Sequence, residues 1–123
     1  MSGYLLDTHV LLWAMAEDPR LSPAHVHVLL GEAPRMISVA SLWEIAIKTS
    51  LGKLGLREDL RVVLDETGLE LLPIAPEHVE AVARLPLLHR DPFDRMLVAQ
   101  AQVEGLTLLS ADPNVRAYPV PSL

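Results

Sequence analysis

Short apolar runs alternate along this chain with longer stretches in which apolar residues recur every three or four positions. A short apolar run bounded by turn-forming residues fits a buried strand, and the three-four spacing fits an amphipathic helix. Tyr4-Leu5-Leu6, ending at Asp7-Thr8, reads as a first strand, followed by a helix over 10–15. Ser22 suits an N-cap and Pro23 a first helical position, which predicts a helix over 24–30 stopped at Gly31. A second strand is expected at 36–39 and a helix at 41–51, with Val39, Leu42, Trp43 and Ala46 forming its apolar stripe. Further on, the pattern predicts a helix at 58–67, a strand at 69–72 and a helix at 76–85. A loop over 86–90, a long helix over 91–104 ended by Gly105 and a closing strand at 106–110 complete it. Residues 111–113 read as a turn and the remainder as irregular.

Strands that alternate with helices and are apolar throughout imply a parallel sheet covered on both faces. The expected fold class is α/β: one domain over 1–123, a three-layer sandwich around a central, mostly parallel sheet of four to five strands. No internal repeat, linker or low-complexity segment interrupts it.

Half of the residues are hydrophobic, enough for a core of the chain's own. The absence of cysteine excludes disulfides, thiolate metal sites and cysteine nucleophiles. Any metal must then use carboxylate or imidazole, and carboxylates favour a hard ion. The apolar run at 10–16 is too short to span a bilayer, and no Lys or Arg precedes Arg20, so a cytoplasmic protein without a membrane segment is expected.

In an open parallel sheet, ligands bind beyond the carboxyl ends of the strands. Asp7 ends the first strand and Asp112 follows the last, so both fall on that edge, where each could equally be a capping or turn aspartate. Glu44 lies on a narrow polar stripe, Ser41-Glu44-Lys48, which reads either as a solvent-facing ion pair or as a carboxylate aimed at an acidic pocket with Lys48 ready for phosphate. His89-Arg90-Asp91-Pro92-Phe93-Asp94-Arg95 is the densest segment in chemistry. Asp91 before Pro92 has the form of an N-cap, which leaves Asp94 as the better ligand. His9 and His89 flank these carboxylates and could orient one of them or meet a substrate. Trp13 and Trp43, on apolar helical stripes, are expected in the core.

The formal charge of −6 speaks against nucleic-acid binding at first sight. Setting Asp7, Glu44, Asp94 and Asp112 aside as metal ligands leaves 12 acidic against 10 basic residues, and bound divalent ions would make the site attractive to phosphate.

Taken in order, Leu6-Asp7-Thr8-His9, Ser41-Leu42-Trp43-Glu44-Ile45-Ala46-Ile47-Lys48, His89-Arg90-Asp91-Pro92-Phe93-Asp94-Arg95-Met96-Leu97-Val98-Ala99-Gln100-Ala101 and Ser110-Ala111-Asp112 resemble the successive motifs of VapC-type PIN domains. The resemblance covers nearly the whole chain. It implies a PIN-like, flavodoxin-like sandwich and a metal-dependent endoribonuclease, the toxin of a type II toxin–antitoxin pair, blocked by a cognate antitoxin and usually dimeric. Carried over by position, Asp7, Glu44, Asp94 and Asp112 form an acidic quartet around one or two Mg²⁺ or Mn²⁺ ions. Thr8 supports them, Ser110 stands where threonine is common, and Asp91 is either a cap or an extra acidic neighbour. Lys48, Arg90 and Arg95 are the nearest basic residues for RNA phosphates. The alternative is a PIN fold kept as an inactive interaction module, against which the complete acidic set argues. A receiver domain would need an acidic pair after the first strand, and a haloacid-dehalogenase-type phosphatase would need a second aspartate at position 9; this chain has neither.

Overall fold

Each short apolar run becomes a strand and each three-four patterned stretch a helix in the computed structural model, which describes residues 3–55 and 59–123. The order is β1 (Tyr4–Leu6), α1 (Thr8–Met15), α2 (Pro23–Leu30), β2 (Arg35–Ser38), α3 (Val39–Ser50), α4 (Leu60–Thr67), β3 (Glu70–Leu72), α5 (Pro76–Arg84), α6 (Pro92–Glu104), β4 (Thr107–Leu109) and α7 (Pro113–Arg116). Glu58, the expected first residue of the fourth helix, lies outside the described residues. Asp59 caps that helix instead, its side chain accepting from Arg61 N.

The four strands form one parallel sheet in the order β3-β2-β1-β4. Two corrections concern its end of the chain. The final residues are not irregular, because Leu108 N donates to Pro121 O, Leu123 N to Leu108 O, and Ser110 N to Leu123 O, laying 121–123 along β4. The segment after Asp112 is a short helix, α7, not a simple turn.

Successive strand residues point to opposite faces, and the two halves of the core divide accordingly. Leu5, Met36 and Leu108 pack on one face with Ala81, Leu97, Val98 and Ala101 from α5 and α6. Leu6, Ile37 and Leu109 pack on the other with Val10, Leu11, Val28 and Ile45 from α1, α2 and α3. Burying both faces of the strands explains why the runs read as continuously apolar. It also makes β1 and β4 rigid anchors for the residues that follow them.

Helix α3 overturns the expected facing. Its buried residues are Ala40, Ser41, Glu44 and Ile45, while Trp43 is 59% exposed and Ala46 is exposed. Trp43 and Ala46 of the expected apolar stripe turn outward, Leu42 stays half-buried against the core, and Ser41 and Glu44 of the polar stripe turn in. Trp43 meets only the edge of Phe93, ring centroids 5.1 Å apart. Trp13 is also outside the core: half-buried, it carries the Arg20 guanidinium over its ring at 5.1 Å. No helix among the described residues is long and apolar enough to cross a membrane.

Candidate metal centre

The strand order makes β1 and β4 neighbours, while the chain leaves β1 toward β2 on the opposite side. Helical connections then diverge from the carboxyl ends of β1 and β4 and open a crevice there. Asp7 enters it directly after β1, held by its N–H on Leu109 O at 3.0 Å, and Ser110 to Asp112 enter it after β4.

Asp7 is nearly fully buried and caps α1, its Oδ1 accepting from Val10 N at 2.7 Å. Burial raises its pKa; hydrogen bonds from the Ser110 hydroxyl and Val10 N, and the nearby His9 and His25, offset part of the rise. Ser110 Oγ also accepts from Asp112 N at 3.1 Å, and this buried side chain lies beside Asp7. Asp112 caps α7 through Asn114 N at 2.9 Å.

The inward stripe of α3 reaches the same crevice. Thr8 Oγ1 donates to Glu44 Oε1 at 2.8 Å and lies 3.0 Å from Ser41 Oγ. Lys48 Nζ holds the other oxygen, Oε2, at 2.9 Å. Both readings of the Ser41-Glu44-Lys48 stripe therefore hold in part: an ion pair exists, and its carboxylate points inward.

From α6 comes Asp94. Asp91 caps that helix, accepting from Asp94 N at 3.0 Å, which leaves the Asp94 carboxylate free of capping duty. Burial, partly offset by the hydrogen bond from His89, pushes its pKa up to about 6, and the negative charges of Asp91, Glu44 and Asp7 add to the rise. The Asp94 carboxyl is 2.9 Å from His89 Nε2, and Asp112 Oδ2 is 3.9 Å from the same nitrogen. One donor atom each from His89, Asp94 and Asp112 falls within 4.8 Å of the others, close enough to share an ion.

The four expected carboxylates thus lie around one crevice, though only Asp94 and Asp112 converge directly, and they do so with a histidine. Carboxylates gathered under burial repel one another, and a divalent cation relieves that repulsion. The oxygen-rich donor set suits Mg²⁺ or Mn²⁺.

The basic residues divide. Lys48 stays on Glu44 and is partly exposed, and Arg90 is exposed beside His89. Arg95 has other employment: it donates to Pro86 O, Tyr118 Oη and Val82 O, each at 3.1 Å, and so braces the loop before α6. Tyr118, which sequence reasoning missed, completes that brace. Its buried hydroxyl accepts from Leu88 N at 3.2 Å and His89 N at 3.0 Å. Nothing local marks it, since its partners lie 23 to 30 residues away. His9 is exposed and turns toward Trp13, ring centroids 6.0 Å apart. Both line a groove of about 910 Å³ between α1 and α4 that includes none of the acidic quartet.

A PIN-domain family profile matches residues 4–121. Ribonuclease VapC22 of Mycobacterium tuberculosis (strain ATCC 25618 / H37Rv) is 29% identical over 129 aligned positions, covering 96% of this chain and 93% of that protein. Among solved structures, VapBC2 from Rickettsia felis bound to a DNA fragment from their promoter superposes with a TM-score of 0.74 at 19% identity, covering all of this chain and 98% of the other. A toxin-antitoxin complex from Klebsiella pneumoniae gives a TM-score of 0.69 at 16% identity, over 98% of this chain and 96% of that one. Likeness at such identity speaks for the fold, which is the four-stranded parallel sandwich described above.

Proposed function

This chain belongs to the PIN-domain family, and from that premise we propose that it is a divalent-metal-dependent endoribonuclease, the VapC-type toxin of a type II toxin–antitoxin pair. One observation carries the reading: beyond the carboxyl ends of β1 and β4, donor atoms of His89, Asp94 and Asp112 fall within 4.8 Å of one another, beside the buried Asp7 and Glu44. Helix capping accounts for Asp7, Asp91 and Asp112 but not for Asp94, whose carboxylate caps nothing.

Asp7, Asp94 and Asp112 would hold one or two Mg²⁺ or Mn²⁺ ions, with Glu44 beside them. A bound ion supplies an acidified water and neutralises charge on the attacked phosphate. The chain's own residues set the stage. Thr8 and Lys48 fix the two oxygens of Glu44, so that carboxylate keeps one orientation. Ser110 accepts from Asp112 N and favours the charged form of Asp7, so one side chain serves both aspartates. Asp91 anchors the first turn of α6 and thereby the main chain of Asp94. Lys48 and Arg90 are the cations available to backbone phosphates, while Arg95 serves the loop that carries His89.

A cognate antitoxin is the proposed partner, on the strength of the related ribonuclease and the toxin-antitoxin complex whose fold this chain shares. A second copy of the chain is the other. Trp43 and Ile47 on α3 and Leu51 at its C-cap have exposures of 59%, 37% and 62%, an apolar face that a dimer would cover. A monomer in light scattering would contradict that part.

The test of the reaction is the chemistry of the cut ends. Attack by water needs no 2′-hydroxyl, so a substrate with a single 2′-deoxy sugar at the cut position should still be cleaved, and chelator should stop the reaction. Cyclic 2′,3′-phosphate ends formed in chelator would contradict the proposal.

A further inference from the structure

We propose that His89 is itself a ligand, so that the ion site of Asp7, Asp94 and Asp112 is a mixed nitrogen–oxygen centre in which His89 shares an ion with Asp94 and Asp112. The inference rests on the metal-dependent reading above, but it concerns a residue outside the acidic quartet. Its geometry comes first. His89 Nε2 lies 2.9 Å from Asp94 Oδ2 and 3.9 Å from Asp112 Oδ2. Donors about 2.1 Å from an octahedral ion stand roughly 3.0 Å apart when adjacent and roughly 4.2 Å apart when opposite. The shorter separation matches adjacent donors, and the longer one falls between the two limits. Small side-chain adjustments would complete the set, because all three groups are only partly buried.

The short separation is also a hydrogen bond, so the imidazole has two possible employments. As a donor to Asp94 it would only orient that carboxylate. Three observations favour ligation. Among the described residues, the hydrogen bond is at Nε2 and none is recorded at Nδ1, so Nδ1 is free to carry the ring proton while Nε2 offers its lone pair. The ring hangs from a fixed point, since Tyr118 Oη accepts the His89 N–H and Arg95 braces the same hydroxyl. Finally, His89 approaches Asp112 as well as Asp94, and orienting Asp94 does not require that second approach. A neutral nitrogen would add a donor without adding negative charge to a crevice already crowded with carboxylates.

Imidazole shifts preference from Mg²⁺ toward Mn²⁺ and the later divalent ions. The test is direct: Mn²⁺ is titrated into the wild-type protein, His89→Ala and His89→Asp, and followed by electron paramagnetic resonance. Loss of the free-ion signal gives affinity, and the nitrogen hyperfine modulation of bound Mn²⁺ reports imidazole coordination. Wild type is expected to bind with nitrogen modulation. His89→Ala should bind about tenfold or more weakly and without it. His89→Asp should recover affinity through oxygen, still without the modulation, and lose part of the preference for Mn²⁺ over Mg²⁺. Wild-type binding with no nitrogen modulation would overturn the proposal and leave a carboxylate-only nuclease site standing, and modulation surviving in His89→Ala would assign the nitrogen elsewhere. No Mn²⁺ binding by wild type would overturn both this proposal and the reading beneath it.

Discussion

Helix α6 carries a polar cluster at each end of its buried face, and the two are built differently. At its first turn Asp94 lies near Asp7, Glu44 and Asp91, whose negative charges add to the burial that raises its pKa. Further along, buried Gln100 and half-exposed Glu104 meet His78, and there the groups are matched. His78 Nδ1 accepts from Ala75 N at 2.9 Å, so its Nε2–H is left to donate to Glu104 Oε2 at 3.2 Å. Gln100 Nε2 donates to Pro73 O at 3.2 Å; its Oε1 is the one buried atom of the trio without a partner. The matched cluster ties α5 and the end of β3 to α6. The unmatched one caps α1, α6 and α7 through Asp7, Asp91 and Asp112, yet it gathers more carboxylates than cations at one sheet edge. A cluster that pairs donors with acceptors serves the fold, whereas one that gathers a single sign of charge awaits a ligand.

The largest effect that could break this contrast is on activity. Asp7→Asn and Asp94→Asn each remove a ligand charge without changing size. Each should lower RNA cleavage by more than about a hundredfold, since even outer partners of metal ligands cost 10–100-fold. Both proteins should melt no lower than wild type in chelator, and full activity in both would dissolve the proposed site.

Next in size is the linkage to pH and metal. Both Asp7 and Asp94 have pKa values raised above the 3.8 of an unfolded aspartate, Asp94 to about 6. The contribution of Asp94 to stability is therefore full below about pH 4 and is lost as pH rises through about 6, and Asp7 acts in the same direction. Chelated protein should melt higher at pH 5 than at pH 7, and Asp94→Asn should flatten that slope. Mn²⁺ at a hundred times its Kd should restore about 2.7 kcal/mol at pH 7. A wild-type melting temperature indifferent to Mn²⁺ would contradict the cation role.

The matched cluster should respond in the opposite sense. His78→Ala should cost about 1–3 kcal/mol of stability in chemical denaturation, with Mn²⁺ affinity unchanged. A change in affinity would mean that the two ends of α6 are coupled. Asp91→Asn is the smallest expected effect, because asparagine caps a helix as aspartate does. A loss of cleavage equal to that of Asp94→Asn would move Asp91 among the ligands.

The contrast also marks what was legible in the sequence. Tyr4-Leu5-Leu6 and Thr107-Leu108-Leu109 were plain because a strand buried on both faces has to be apolar at every position. Asp7, Asp94 and Asp112 could be placed from their positions after strands and at a helix start. The facing of α3 was misjudged for a physical reason. The stripe rule assumes that the buried side of a helix is its apolar side, and here the crevice draws in Ser41 and Glu44 and leaves Trp43 outside. The position of His89 was half visible: it flanked a carboxylate, but its approach to Asp112 depends on α6 packing back along β4. The Tyr118 brace was not visible at all, because it is a contact made only by folding the tail back over α6.

The central claim is that the unmatched end of α6 cuts RNA with a divalent ion. The most direct measurement is cleavage of a mixed panel of structured and single-stranded RNAs by the purified chain, freed of any antitoxin and loaded with Mn²⁺, with Mg²⁺ or with chelator. The account predicts endonucleolytic cutting with either ion and none with chelator. Cutting that persists undiminished in chelator, or a folded, metal-loaded protein that leaves every RNA intact, would contradict it.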